Sequence, residues 1–144
     1  MTPAEAFSLK NELGLNCAQT LLAHFAPRFS DKISKDAMVA MGLNFGAGMN
    51  KGDVCGSVSA AYMILGLAFF NPNLSHDENR DLRLQKTREF DEKFIQSQKT
   101  NQCKELLGFN PVFDTPSNAQ SDAVPAVCGG SLAAAINILK SMLG

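Results

Sequence analysis

The residues of this chain best able to do chemistry are four cysteines, Cys17, Cys55, Cys103 and Cys128, separated by 38, 48 and 25 residues. Each stands where a turn signal gives way to an apolar helical pattern. Asn16 precedes Cys17, Asp53 lies two residues before Cys55, Thr100 and Asn101 precede Cys103, and Pro125 precedes Cys128. A helix N-terminus offers unpaired N–H groups and the positive end of a dipole, and both favour thiolate over thiol. A thiolate is a nucleophile and a ligand for soft metals. Four of them together would support redox or metal chemistry.

The spacing excludes several familiar sites. No C-x-x-C is present, so neither a thioredoxin-type pair nor a zinc ribbon fits. There is no C-x-x-C-H for covalent haem and no clustered ferredoxin run. A shared site would have to be assembled from four separate segments. Any one cysteine alone reads more simply as a small buried apolar residue. Four in the same local setting argue for a common role. Cys55 is the expected attacking thiol, because the cap and the glycine loop before it are the best formed.

That loop, FGAGMNKG, contains Lys51 but does not match G-x-x-x-x-G-K-[ST], and no strand precedes it, which argues against phosphate binding. Its glycines instead allow a tight turn that presents Cys55 at the head of the next helix. His24, two turns after Cys17, could serve as an extra ligand or proton donor. His76 opens a charged segment. Both read more simply as surface or edge residues. No Ser-His-Asp arrangement and no H-E-x-x-H appears.

The positioning elements read as helices throughout. Thr2 and Pro3 start one and Gly14 stops it. Asn16 with Gln19 resembles a capping box for the next, whose apolar face holds Leu21, Leu22 and Phe25. Ser30 or Ser34 opens a segment through Phe45. Asp53 is expected to cap a helix over about 54–70, apolar on most sides and therefore central. Residues 77–99 carry six acids and six bases and predict a long, partly exposed helix over the core. Thr100 or Asn101 caps a short turn stopped by Gly108. Residues 109–124 are loop by composition, and the last helix starts near Pro125 or Ser131. The expectation is an all-α, single-domain bundle over residues 1–144, with about five or six helices around the 54–70 helix.

A length of 144 residues suits one domain with its own core, and a net charge of −1 gives no basis for a nucleic-acid or anionic-membrane partner. The first residues hold Glu5 and Glu12 and no apolar run, unlike a secretory leader. No run reaches ~18 uninterrupted apolar residues, so no membrane partner is expected. A cytoplasmic location is expected, where cysteine groups tend to be catalytic or metal-binding. The apolar central helix would also suit a homodimer.

Taken in order, LGLNCAQTLL, FGAGMNKGDVCGSVSAAYMILGL, CKELLGFN and VCGGSLAAAINIL resemble the motifs of the C_GCAxxG_C_C family of redox-active proteins. The resemblance spans nearly the whole chain. It implies a helical fold and a redox or metal role for Cys17, Cys55, Cys103 and Cys128. A similar domain occurs in split-Soret cytochromes, where an iron–sulfur site is associated with the cysteines, so a cluster is implied by analogy. The chain departs from the family at Ser57 and at Ala60, where the motif usually ends in glycine. That departure is expected to affect packing more than thiol chemistry.

Three readings follow. The first is an oxidoreductase or electron-transfer protein, with an unidentified redox partner protein. In it the four cysteines hold an iron–sulfur cluster, for which four thiolates are a complete ligand set, or exchange thiols and disulfides. The second is a non-enzymatic module binding zinc or a soft metal such as Cu(I). The third is a structural helical adaptor with inert cysteines.

Overall fold

In the computed structural model, which covers residues 1–144, Thr2 and Glu5 form a capping box that opens α1 (Pro3–Leu13), and left-handed Gly14 closes it. Asn16 and Gln19 form the box that opens α2 (Cys17–Phe25). Ser34 caps α3 (Lys35–Met41). That helix stops short of the expected Phe45, because Gly42 lies against α2 and a Cβ there would come within 2.8 Å of Leu22. A single 3-10 turn carries the chain on through Phe45.

The glycine loop then makes a left-handed turn. Ala47, Gly48, Met49 and Asn50 all have φ between 51° and 61°. The turn is closed by the Asp53 N–H donating to the Gly48 carbonyl at 2.9 Å. Three of the four are not glycine, and each such residue costs roughly 1–2 kcal/mol. At Gly48 a side chain is excluded outright, since a Cβ would press on the Asp53 backbone and on Cys103.

α4 (Gly56–Phe69) is the expected central helix, packed against α2, α5 and α7. Its cap position is held by Cys55, not by Asp53. The Asp53 backbone is committed elsewhere: its N–H goes to Gly48, and its carbonyl accepts from Cys103 N at 2.6 Å. Ser75 and Glu78 box the start of α5 (His76–Gln98), which buries Phe90 and Phe94 stacked 5.7 Å apart. Burial of each contributes roughly 1.5–3 kcal/mol. α6 (Cys103–Leu107) is one short turn ended by left-handed Gly108.

The last helix corrects the sequence reading. α7 runs Asn118–Leu143, so the second half of the expected 109–124 loop is helical. Ser117 and Gln120 form a fourth capping box, and Pro125 sits inside the helix. Proline there leaves the Ser121 carbonyl without its helical donor. Ser121 and Pro125 are both exposed, so water can satisfy that carbonyl. Length and hydropathy alone would let α7 cross a membrane. Here its apolar face is part of the core, with Leu132, Ile136 and Leu139 fully buried.

The architecture is all-α, with seven helices where five or six were expected. One core joins Leu21, Leu22 and Phe25 of α2, Val58 and Ile64 of α4, Phe90 and Phe94 of α5, and the buried face of α7. The chain's two end helices, α1 and α7, lie side by side. Gly129 permits the close approach, because a Cβ there would collide with the Pro3 carbonyl.

Candidate functional site

Each cysteine is placed by a different device. Cys17 is the first residue of α2. Asn16 before it is clamped: its Oδ1 accepts from Gln19 N at 2.8 Å, and its Nδ2 donates to the Leu43 carbonyl at 3.0 Å. Cys55 and Cys103 come from two strand-like segments held antiparallel. Cys55 N donates to the Asn101 carbonyl at 2.8 Å, Cys103 N donates to the Asp53 carbonyl, and Val54 bridges to Gln102. Lys104 and Asp53 stand 3.9 Å apart beside that bridge. Gly56 brings the head of α4 down onto Phe45 and Ala18, next to Cys17.

Cys128 departs from the expected setting. It lies at the eleventh residue of α7, three turns from the helix start, where the terminal dipole no longer acts. Its neighbours come from other helices. The Cys17 thiol beside it favours the Cys128 anion, and the Lys10 ammonium of α1 adds a favourable charge. The two effects together hold the Cys128 thiol below its ordinary pKa against the opposing effect of burial. The same pairing, with burial, pushes Cys17 well above its ordinary value.

The other two thiols are held protonated. Cys55 is only 6% exposed, and burial raises its pKa against the N–H groups of Ser57 and Val58. The Ser57 hydroxyl is fully buried with no hydrogen-bond partner, and its smaller effect on the Cys55 thiol opposes that of burial. The serine departure therefore bears on the thiol as well as on packing. Cys103 is pushed up to about 12 by burial, with Cys55 and Cys128 adding to the shift.

Cys55 and Cys128 thus lie within electrostatic reach of each other and of both remaining cysteines, and all four are free thiols. Cys17 and Cys128 act on each other most strongly, each being the largest influence on the other's pKa. His24 lies apart from the group, facing Lys140, Arg28 and the N-terminus, which together with burial lower its pKa. His76 lies at the start of α5. Lys10 was not singled out from sequence. The available signal is its place one turn after fully buried Ala6, on the same face of α1.

Tested against a metal or cluster, the four side chains are right in type, since four thiolates complete a [2Fe–2S] ligand set. They are not arranged for it: no three His, Cys, Asp or Glu side chains stand around one point so as to hold an ion. The arrangement is a pair of mutually influencing thiols, Cys17 and Cys128, with two further thiols nearby. Such a pair with one low-pKa member can form a mixed disulfide and resolve it.

A family model described as "Putative redox-active protein (C_GCAxxG_C_C)" matches residues 15–142. No curated protein and no solved structure matches the chain.

Proposed function

This chain belongs to the C_GCAxxG_C_C family of redox-active proteins, and from that premise we propose that it is a thiol–disulfide oxidoreductase whose exchanging pair is Cys128 and Cys17. The observation that carries the reading is the pairing of these two thiols, each of which is the largest influence on the other's pKa, in opposite directions. Cys128 takes the attacking role expected of Cys55, because Cys55 is buried and its thiol is held protonated.

The Cys128 thiolate attacks one sulfur of a partner's disulfide, forming a mixed disulfide and releasing the other partner sulfur as thiolate. Cys17 gives up its proton, which ends on the released thiolate. The Cys17 sulfur then attacks Cys128 Sγ, forms the Cys17–Cys128 disulfide and expels the second partner sulfur. Two electrons pass from the protein dithiol to the partner disulfide, and a dithiol partner returns them in reverse. Lys10 stabilises the Cys128 anion before attack and again when it leaves during reduction. A protein disulfide is the proposed substrate class, and a reducing compartment the proposed setting.

Cys17→Ser tests this reading. A serine keeps an O–H donor for Cys128 but cannot resolve a disulfide. With a small disulfide reagent it should accumulate the Cys128 mixed disulfide, which the parent protein clears. If the serine variant clears it equally fast, Cys17 is not the resolving thiol. Anaerobic addition of iron and sulfide probes the cluster reading. Stoichiometric visible absorption that requires all four cysteines would favour a cluster over exchange.

A further inference from the structure

A second site lies away from the cysteines, between α4 and the first half of α5. Tyr62, Leu65, Gly66 and Phe69 follow one another at helical spacing along α4 and face Leu82, Arg83 and Lys86 of α5. The two faces enclose a groove of about 390 Å³, open on one side to solvent. This is within the size range of small-molecule sites.

Gly66 explains part of the gap. It lies in mid-helix, where glycine is a poor choice, and a Cβ there would meet nothing within 4 Å. No helix packs close at this point, so the missing side chain serves only to leave space. Exposed Phe70 extends the apolar wall at the end of α4. The seam from Tyr62 to Phe70 is about 12 Å long by helix rise.

The charges along the groove have one sign. Arg80, Arg83 and Lys86 line it, and no Asp or Glu does. Arg80 is engaged outside by Asp77 and Asp81. Arg83 and Lys86 have no carboxylate partner, and the Lys86 ammonium rests 4.3 Å above the Phe69 ring. An apolar trough with two cations free of carboxylates at its rim is complementary to a long apolar body ending in one negative charge.

We propose that the α4–α5 groove is a binding site for an aliphatic carboxylate of the fatty-acid class, with its chain along Leu65, Gly66 and Phe69 and its carboxylate on Arg83 and Lys86. Neither cysteine chemistry nor any of the four thiols enters this site.

Calorimetric titration of the full chain with sodium decanoate, below its micelle concentration, tests the proposal. Decanol and decyltrimethylammonium serve as comparators of equal chain length. Decanoate should bind saturably, one per chain, and more tightly than either comparator. Arg83→Gln with Lys86→Gln should weaken it by about tenfold or more. Gly66→Leu should abolish binding by filling the trough, while helix content and thermal midpoint stay near the parent's. Absence of saturable decanoate binding overturns the proposal. So does equal binding of the alcohol or the ammonium, or parent-like binding by the folded Gly66→Leu protein.

Discussion

Replacing Cys17 by alanine removes the S–H that stabilises the Cys128 thiolate. A hydrogen bond to a charged group contributes about 1.5–3 kcal/mol. One pKa unit corresponds to about 1.4 kcal/mol. The Cys128 pKa should therefore rise by about one to two units. Below both midpoints the thiolate fraction falls about 10- to 100-fold. The remaining thiolate is intrinsically more nucleophilic, with a Brønsted slope of about 0.4–0.5. Attack on a small symmetrical disulfide at neutral pH should then slow only about 3- to 15-fold. The assay is the pH profile of mixed-disulfide formation at Cys128, followed by peptide mass spectrometry. Cys17→Ser, which keeps a donor, should leave the midpoint close to the parent's. Lys10→Met should raise it in the same direction, in a way that salt suppresses in the parent. An unchanged midpoint in Cys17→Ala would refute the idea that Cys17 sets the charge state of Cys128.

Two glycines should respond oppositely to alanine. Gly129→Ala drives a methyl into the Pro3 carbonyl and should cost about 1–3 kcal/mol, read by denaturant unfolding. Gly66→Ala meets open space and should stabilise by about 0.5–1 kcal/mol. Ser117→Ala removes the cap of α7 and should cost about 0.5–2 kcal/mol, a change too large for a residue in a loop. In alkali, Cys17, Cys55 and Cys103 hold their protons in the fold beyond the value of 9.0 at which unfolded thiols lose them. Their stabilisation is complete below pH 9 and is lost as the pH climbs through the folded values, to about 12 for Cys103. Cys128 acts in the opposite sense, its contribution being lost as pH falls through its lowered value. With three thiols against one, the thermal midpoint of the reduced protein should fall above pH 9, and less steeply in Cys103→Ser.

What the sequence made legible was local. Asn16–Gln19 rests on side chains three residues apart and reads as a capping box, and Thr2 with Pro3 marks the start of α1. Ser117–Gln120 is the same motif, but the Pro-, Asn- and Asp-rich composition around it reads as loop. Missing it moved Cys128 from mid-helix to a helix start and assigned its reactivity to the wrong cause. The true cause requires α1, α2 and α7 to meet, through residues as far apart as Lys10 and Cys128. No local pattern encodes that meeting. The left-handed turn at 47–50 was half legible: its glycines announced a turn, whereas Ala47, Met49 and Asn50 gave no sign of positive φ. The α4–α5 groove lay hidden in a stretch whose charges looked like an ordinary solvated face.

Exchange between Cys128 and Cys17 as a pair leaves a covalent record. It is tested most directly by oxidising the reduced native protein with one equivalent of a small disulfide and mapping the product's cross-links by mass spectrometry. The expected product is a Cys17–Cys128 disulfide, with Cys55 and Cys103 recovered as free thiols. A Cys55–Cys103 bond as the first product, or no intramolecular bond at all, would contradict it.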